Sequence, residues 1–187
     1  MISFLAQTGV RLSELCHLRL ADVVLDAEGL PQALRVIGKG NKERRIPLAP
    51  GAVTLLRRWL RERELHPLRD DALFVNLSGR SKYQPLTARI VWYLVRQAAA
   101  RAGIEPVKPH TLRHTCATQL YLHGAGIVDI QHILGHENLA TTGIYTKTDD
   151  AMQARAMRLM PDFGAAAHTL RMEITAETRP KRVRGRR

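Results

Sequence analysis

Four side chains able to handle a phosphate and its protons, His110, Arg113, His136 and Tyr145, fall within the thirty-six residues HTLRHTCATQLYLHGAGIVDIQHILGHENLATTGIY. His110 and Arg113 are three apart at the start of a helical stretch, so they share one face beside backbone N–H groups that have no partner inside the helix. That is a place to hold an anion. Far upstream, Arg11 and Glu14 stand at the same i, i+3 spacing, which lets the carboxylate orient the guanidinium. Lys39 lies in the turn sequence Gly38-Lys39-Gly40-Asn41. These residue types meet the demands of opening a phosphodiester without metal. Tyr145 can supply the nucleophile, Arg11 and Arg113 are permanently charged fork donors suited to the non-bridging oxygens, and Lys39 or His110 can move protons. Such proton transfer typically contributes about 10²- to 10⁴-fold. A phosphotyrosyl bond would conserve the bond energy, so a 5′-hydroxyl from another strand could reverse the reaction without ATP.

Each residue taken singly has a plainer explanation. A lone His or Tyr is usually structural, and Tyr93 and Tyr121, inside apolar helical stretches, are read that way. Tyr145 differs, because the polar, helix-starting segment Asn138 to Thr142 precedes it and leaves its hydroxyl exposed. An isolated arginine such as Arg11 is commonly a surface residue in a weak ion pair, and a lysine at a hairpin tip is commonly just solvated.

The elements that must position these groups follow from periodicity and punctuation. Met1 to Ala6 reads as the end of an apolar helix broken at Thr8-Gly9, after which Leu12, Leu15 and Leu18 give the next helix a core face. Leu34 and Val36, then Ile46 and Leu48, alternate as two strands over Ala33 to Ile37 and Arg45 to Leu48, with Lys39 at the tip between them. Pro50 opens a helix through Glu64, with Val53, Leu56 and Leu60 inward, the arginines mostly outward and Trp59 in the core. Leu73 to Val75 suggests a short strand and Ser78 to Gln84 a polar loop. Thr87 can cap a helix to Ala102, closed by Gly103. Ala117, Leu120 and Leu122 mark a helix from Thr111 to His123. Ile127, Ile130, Ile133 and Leu134 mark another, stopped by Gly135, with His136 in the loop beyond. A last helix runs from Lys147 to Met160, with Met152, Ala156 and Leu159 on one side.

The bulk properties fit a polyanionic partner. At 187 residues and 45% hydrophobic, the chain can bury about one core and should fold. Its 29 Lys and Arg against 17 acidic residues give a net charge of +12. Arg179 to Arg187 hold six of the basic residues, yet the rest of the chain still carries +6. Arg80, Lys82 and Arg89 are candidate phosphate contacts, with a solvated basic face as the alternative. Cys16 and Cys116 offer neither metal spacing nor a disulfide framework, and are read as reduced core residues. No run of about 18 apolar residues and no signal peptide is present, so a cytoplasmic protein with access to the chromosome is expected.

Four ordered motifs, Thr8-Gly9-Val10-Arg11-Leu12-Ser13-Glu14-Leu15, Gly38-Lys39-Gly40-Asn41-Lys42-Glu43-Arg44, His110-Thr111-Leu112-Arg113-His114 and Leu134-Gly135-His136 with Tyr145 nine residues on, resemble the catalytic domain of the tyrosine recombinases (phage-type integrases), most closely the Xer type. The resemblance implies an α+β, mainly helical domain with a small antiparallel hairpin over residues 1–170, its own first part and the core-binding domain absent. A basic tail over 171–187 follows, as a DNA arm or a solubilising segment. It implies Tyr145 as nucleophile, Arg11 and Arg113 as phosphate-binding arginines and Lys39 as general acid to the 5′-oxygen. His110 is the implied proton acceptor near the tyrosine, His136 a hydrogen-bond donor to the phosphate, and Glu14 the buttress of Arg11. Lys42 and Arg44 would contact the DNA backbone. The implied partner is double-stranded DNA, engaged by a homo-oligomer (a tetramer on paired sites) or a hetero-oligomer with a related recombinase. No cofactor, metal or membrane is implied, and Met157 to Leu170 would dock on a neighbouring protomer.

Three other readings compete. His110, His114, His132 and His136 include two i, i+4 pairs able to bind zinc, but Thr111 occupies the place where an HExxH signature needs its glutamate. A type IB topoisomerase shares the nucleophile and arginines, whereas the Gly-Lys-Gly-Asn-Lys hairpin and the Leu-Gly-His motif favour recombination. A catalytically inactive DNA-binding remnant is the third.

Overall fold

Gly9 ends the first helix, α1 (Ile2–Thr8), by adopting a left-handed conformation with φ 61° and returning its N–H to Leu5 O at 2.9 Å. The chain then turns directly into α2 (Leu12–His17), whose N-cap is Arg11. The computed structural model describes residues 1–66, 71–79, 81–104, 107–135 and 150–162, and of Lys39 only the backbone.

A three-stranded antiparallel sheet follows: β1 (Val23–Leu25), β2 (Pro31–Ile37) and β3 (Glu43–Pro47), in the order β1-β2-β3. The expected hairpin is β2–β3, with both strands starting two residues earlier than alternation suggested. Strand β1 carries no signal in the sequence, since three residues are too few to show a period. Leu34 pairs with Ile46 and Val36 with Arg44, so these four share the inward face. The hairpin tip is one turn of 3₁₀ helix, Lys39–Asn41, closed by a bond from Gly38 N–H to Lys42 O at 2.8 Å.

Beyond the sheet come α3 (Pro50–Glu64), α4 (Ala88–Arg101), α5 (Pro109–Leu122), α6 (Ile127–Leu134) and α7 (Asp150–Arg158). Thr87 caps α4 as expected, its hydroxyl accepting from Ile90 N–H at 3.4 Å. Leu73–Val75 is not a strand: Ala72 and Val75 make only single bridges, to Arg19 and Pro85. Of the last expected helix, α7 covers Asp150–Arg158, and residues 147–149 lie outside the described residues. No helix among the described residues is long and apolar enough to cross a membrane.

The core draws on most of the described elements: Phe4, Leu5, Leu15, Leu34, Ile46, Leu56, Leu120, Ile133 and Leu134 are almost fully buried. Each such side chain contributes about 1.5–3 kcal/mol by leaving water. Trp59 packs against Phe74 with ring centroids 5.7 Å apart and donates its indole N–H to Leu73 O at 2.7 Å, which satisfies its polar edge.

Several expected core positions turn outward. Tyr93 and Tyr121 are 59% and 64% exposed, because α4 buries the Val91, Val95 and Ala99 stripe and α5 the Arg113, Cys116 and Leu120 stripe. Leu122, Ile127 and Met152 are exposed for the same reason: among the described residues their helices are covered on one side. Cys116 is buried as expected, whereas Cys16 is only half-buried.

Candidate active site

The carboxyl end of α6 gathers three arginines. A helix leaves its last carbonyls without intrahelical partners and carries partial negative charge there, so cations bind well at that end. Arg44 Nε donates to Ile133 O at 3.2 Å, Arg113 Nη2 donates to Leu134 O, and Arg11 Nη2 donates to Gly135 O. Three consecutive carbonyls thus each receive a guanidinium from a different element: β3, α5 and the N-cap of α2.

Glycine is required where these groups converge. Gly135 ends α6 in the left-handed region (φ 66°), and a Cβ there would lie 2.8 Å from Arg44 Nε. A Cβ on Gly9 would come within 2.4 Å of Leu134 Cδ2 and 3.0 Å of Cys116 Sγ. That close approach lets Arg113 Nη1 reach Gly9 O at 2.7 Å and tie the α1–α2 turn to α5. Arg113 is only 6% exposed as a result.

Glu14 is the counter-ion. Its Oε1 accepts from Arg11 Nη1 at 2.9 Å and from Arg44 Nη1 at 2.8 Å, while its Oε2 accepts from Arg44 Nη2 and from the Arg11 backbone N–H, both at 2.9 Å. Burial pushes the Glu14 carboxyl up, but the Arg44 hydrogen bond and the two Arg11 bonds outweigh it and hold the group down at about 2. Burial, helped by the nearby charges of Arg11 and Arg44, lowers Arg113 to about 10, so it stays cationic at neutral pH. Three guanidinium cations therefore share one carboxylate, and the excess positive charge suits a phosphate. The Arg11 side chain is 35% exposed and offers the accessible edge of the cluster.

The other expected site residues fall at varying distances from this cluster. Gly38, next to Lys39, packs against it: a Cβ there would lie 3.4 Å from Arg44 Nη1 and 3.8 Å from Glu14 Oε1. The Lys39 side chain lies outside the described residues, as do Arg80, His136 and Tyr145, although His136 directly follows Gly135 in sequence. His110 is exposed in the first turn of α5, its ring 4.5 Å from that of His114 in an edge-to-face arrangement. Lys42 and Lys82 are exposed, the Lys82 ammonium standing 4.7 Å over the Tyr83 ring. Arg89 lines a groove along α4 with Trp92, Tyr93 and Arg96.

Arg44, expected to face DNA, points inward instead and binds Glu14 and α6. The signal for this was in the sequence: Arg44 is two residues before Ile46, and strand positions two apart share a face. The acceptors Gly9 O, Ile133 O, Leu134 O and Gly135 O carried no such signal, because backbone carbonyls look alike in every sequence.

The model described as the phage integrase family matches residues 1–152. Tyrosine recombinase XerC of Corynebacterium glutamicum is 40% identical over 146 residues, which cover 78% of this chain and 45% of that protein. Tyrosine recombinase XerD of Chlorobaculum tepidum is 39% identical over 153 residues, covering 80% and 48%. Among solved structures, the XerA recombinase is similar with a TM-score of 0.63 at 35% identity, covering 96% of this chain and 55% of the other. The XerH site-specific recombinase bound to its difH substrate in a pre-cleavage complex gives 0.60 at 34% identity, covering 83% and 44%. The chain spans about half the length of the curated relatives it matches.

Proposed function

Because the chain belongs to the phage integrase family, we propose that it is the catalytic portion of a tyrosine-type site-specific recombinase that breaks and rejoins duplex DNA. The observation that carries this reading is the convergence of Arg11 and Arg113 on the end of α6, one residue short of His136, with more guanidinium charge than Glu14 neutralises. Residues 1–170 form the catalytic unit in this reading, and 171–187 a basic arm.

In the proposed reaction Tyr145 Oη attacks a backbone phosphorus. A P–O bond to the tyrosine forms as the bond to the 5′-oxygen breaks. The tyrosine proton passes to His110, and Lys39 protonates the departing 5′-oxygen. Arg11, Arg113 and His136 hold the non-bridging oxygens while negative charge builds on them. A 5′-hydroxyl from another strand then attacks the phosphotyrosine, restoring the phosphodiester and the free tyrosine. Neither metal nor ATP takes part. Exchange between two duplexes needs four cleavages, so the working form is a tetramer on paired sites, alone or with a related recombinase, acting on DNA in the cytoplasm. Lys42, Arg80, Lys82 and Arg89 supply backbone contacts.

The test is covalent capture. The purified chain and Tyr145→Phe are incubated with nicked duplex suicide substrates bearing candidate attachment sites from the flanking genome, then run on denaturing gels. A DNA-shifted protein band that survives chelator and vanishes in Tyr145→Phe supports the proposal. A band that persists in Tyr145→Phe or needs metal overturns it. If neither chain forms a band, the assay is repeated with the upstream in-frame codons restored, and continued failure favours a non-catalytic DNA-binding protein.

A further inference from the structure

Arg44 is turned into the protein. Its Nη1 and Nη2 fork onto the two oxygens of Glu14 at 2.8 and 2.9 Å, its Nε donates to Ile133 O at 3.2 Å, and its side chain is 15% exposed. Three of its five N–H groups, one on each guanidinium nitrogen, are therefore already committed to acceptors inside the protein. Its neighbours give the position meaning. Arg44 lies against the backbone of Gly38, which precedes Lys39, and of Gly135, which precedes His136. Through Glu14 it also faces Arg11, because Glu14 Oε1 accepts from both guanidinium groups. One side chain thus touches the backbone or counter-ion of three segments that each carry an expected site residue.

On the recombinase reading above, we propose that Arg44 is a positioning residue and not a DNA contact: it sets the Arg11 guanidinium through Glu14, and the backbones before Lys39 and His136 by direct packing. The planar fork is what the role requires. Lysine would bring one point charge to Glu14, could not span both oxygens, and would leave Ile133 O without its donor. A phosphate contact is less demanding, since lysine also binds phosphate, as a point charge. The two roles therefore predict opposite outcomes for one conservative substitution.

Arg44→Lys, Arg44→Gln and the outward-facing control Lys42→Ala are made in the full chain, and their folding is checked by thermal melting. Single-turnover cleavage of the suicide substrate should fall by about 10²-fold in both Arg44 variants, the loss that roughly an ångström of misplacement produces, with no rescue by lysine. The slope of log affinity for duplex DNA against log salt should stay at the wild-type value in Arg44→Gln and shrink by about 0.9 in Lys42→Ala. In DNA-free protein, the Arg11 side-chain NMR resonance should shift in Arg44→Lys and stay put in Lys42→Ala. Rescue of cleavage by lysine, or a salt slope reduced by about 0.9 in Arg44→Gln, would overturn the proposal. If the wild-type chain forms no Tyr145-dependent adduct even with the upstream codons restored, it is the recombinase reading that fails. The salt slope and the Arg11 resonance then decide the placement of Arg44 without it.

Discussion

Arg44 and Glu14 form a two-pronged ion pair, Nη1 to Oε1 at 2.8 Å and Nη2 to Oε2 at 2.9 Å, with the carboxylate side chain only 5% exposed. A buried carboxylate is tolerated only when fully hydrogen-bonded, and this one has four bonds from two arginines. Arg11, Arg44 and Arg113 are in turn kept close together, despite like charge, by Glu14 and the α6 carbonyls.

Acid should unlock this arrangement. The folded-state pKa of Glu14, about 2, lies below its ordinary 4.5, so its contribution is complete above pH 4.5 and is lost as the pH falls towards 2. That depression corresponds to roughly 3 kcal/mol. The stability advantage of wild type over Glu14→Gln, measured by denaturant unfolding, should shrink by about that much across this window. A constant difference between the two curves would show that Glu14 is not held ionised by its arginines.

Gly135→Ala should be costly beyond its backbone strain. The left-handed φ of 66° costs a non-glycine residue roughly 1–3 kcal/mol, and the new methyl would press on Arg44 Nε, Cδ and Cζ at 2.8–3.0 Å. Unfolding free energy should drop by at least this strain, and the Arg11 side-chain resonance should shift as Arg44 yields. A variant as stable as wild type would mean that α6 can end in another way.

Arg113→Lys should lose stability even though the charge is kept. Arg113 serves Gly9 O and Leu134 O from two nitrogens, and an ammonium cannot reproduce that fork. One buried carbonyl left unpaired costs about 1–3 kcal/mol. The denaturant midpoint should fall accordingly. An unchanged midpoint would indicate that lysine reaches both carbonyls.

Lys42, Lys82 and Arg89 are exposed and should behave differently from the clustered arginines. Replacing each with alanine should change unfolding free energy by no more than about 0.5 kcal/mol. If each contacts a phosphate, each substitution should reduce the salt slope of duplex binding by about 0.9. Any of the three that leaves the slope untouched is a solvated surface charge.

Much of this protein could be read from residue order. Glycines 9, 103 and 135 and the cap Thr87 marked helix ends within a residue or two, because such punctuation acts locally. The Arg11–Glu14 pair followed from i, i+3 spacing alone. Leu34, Val36 and Ile46 placed the hairpin by alternation, and the same alternation extended by one step would have turned Arg44 inward.

What residue order determined, then, is the set of local elements, the chemistry available to them and the family to which four ordered motifs point. Tertiary structure decided which way the side chains face. Tyr93 and Tyr121 are exposed because the described residues cover α4 and α5 on one side. Arg113 is buried because packing brings Gly9 and Leu134 to its two ends. A guanidinium is drawn equally to a phosphate, a carboxylate or a helix-end carbonyl, and which of these lies within reach depends on elements distant in the chain.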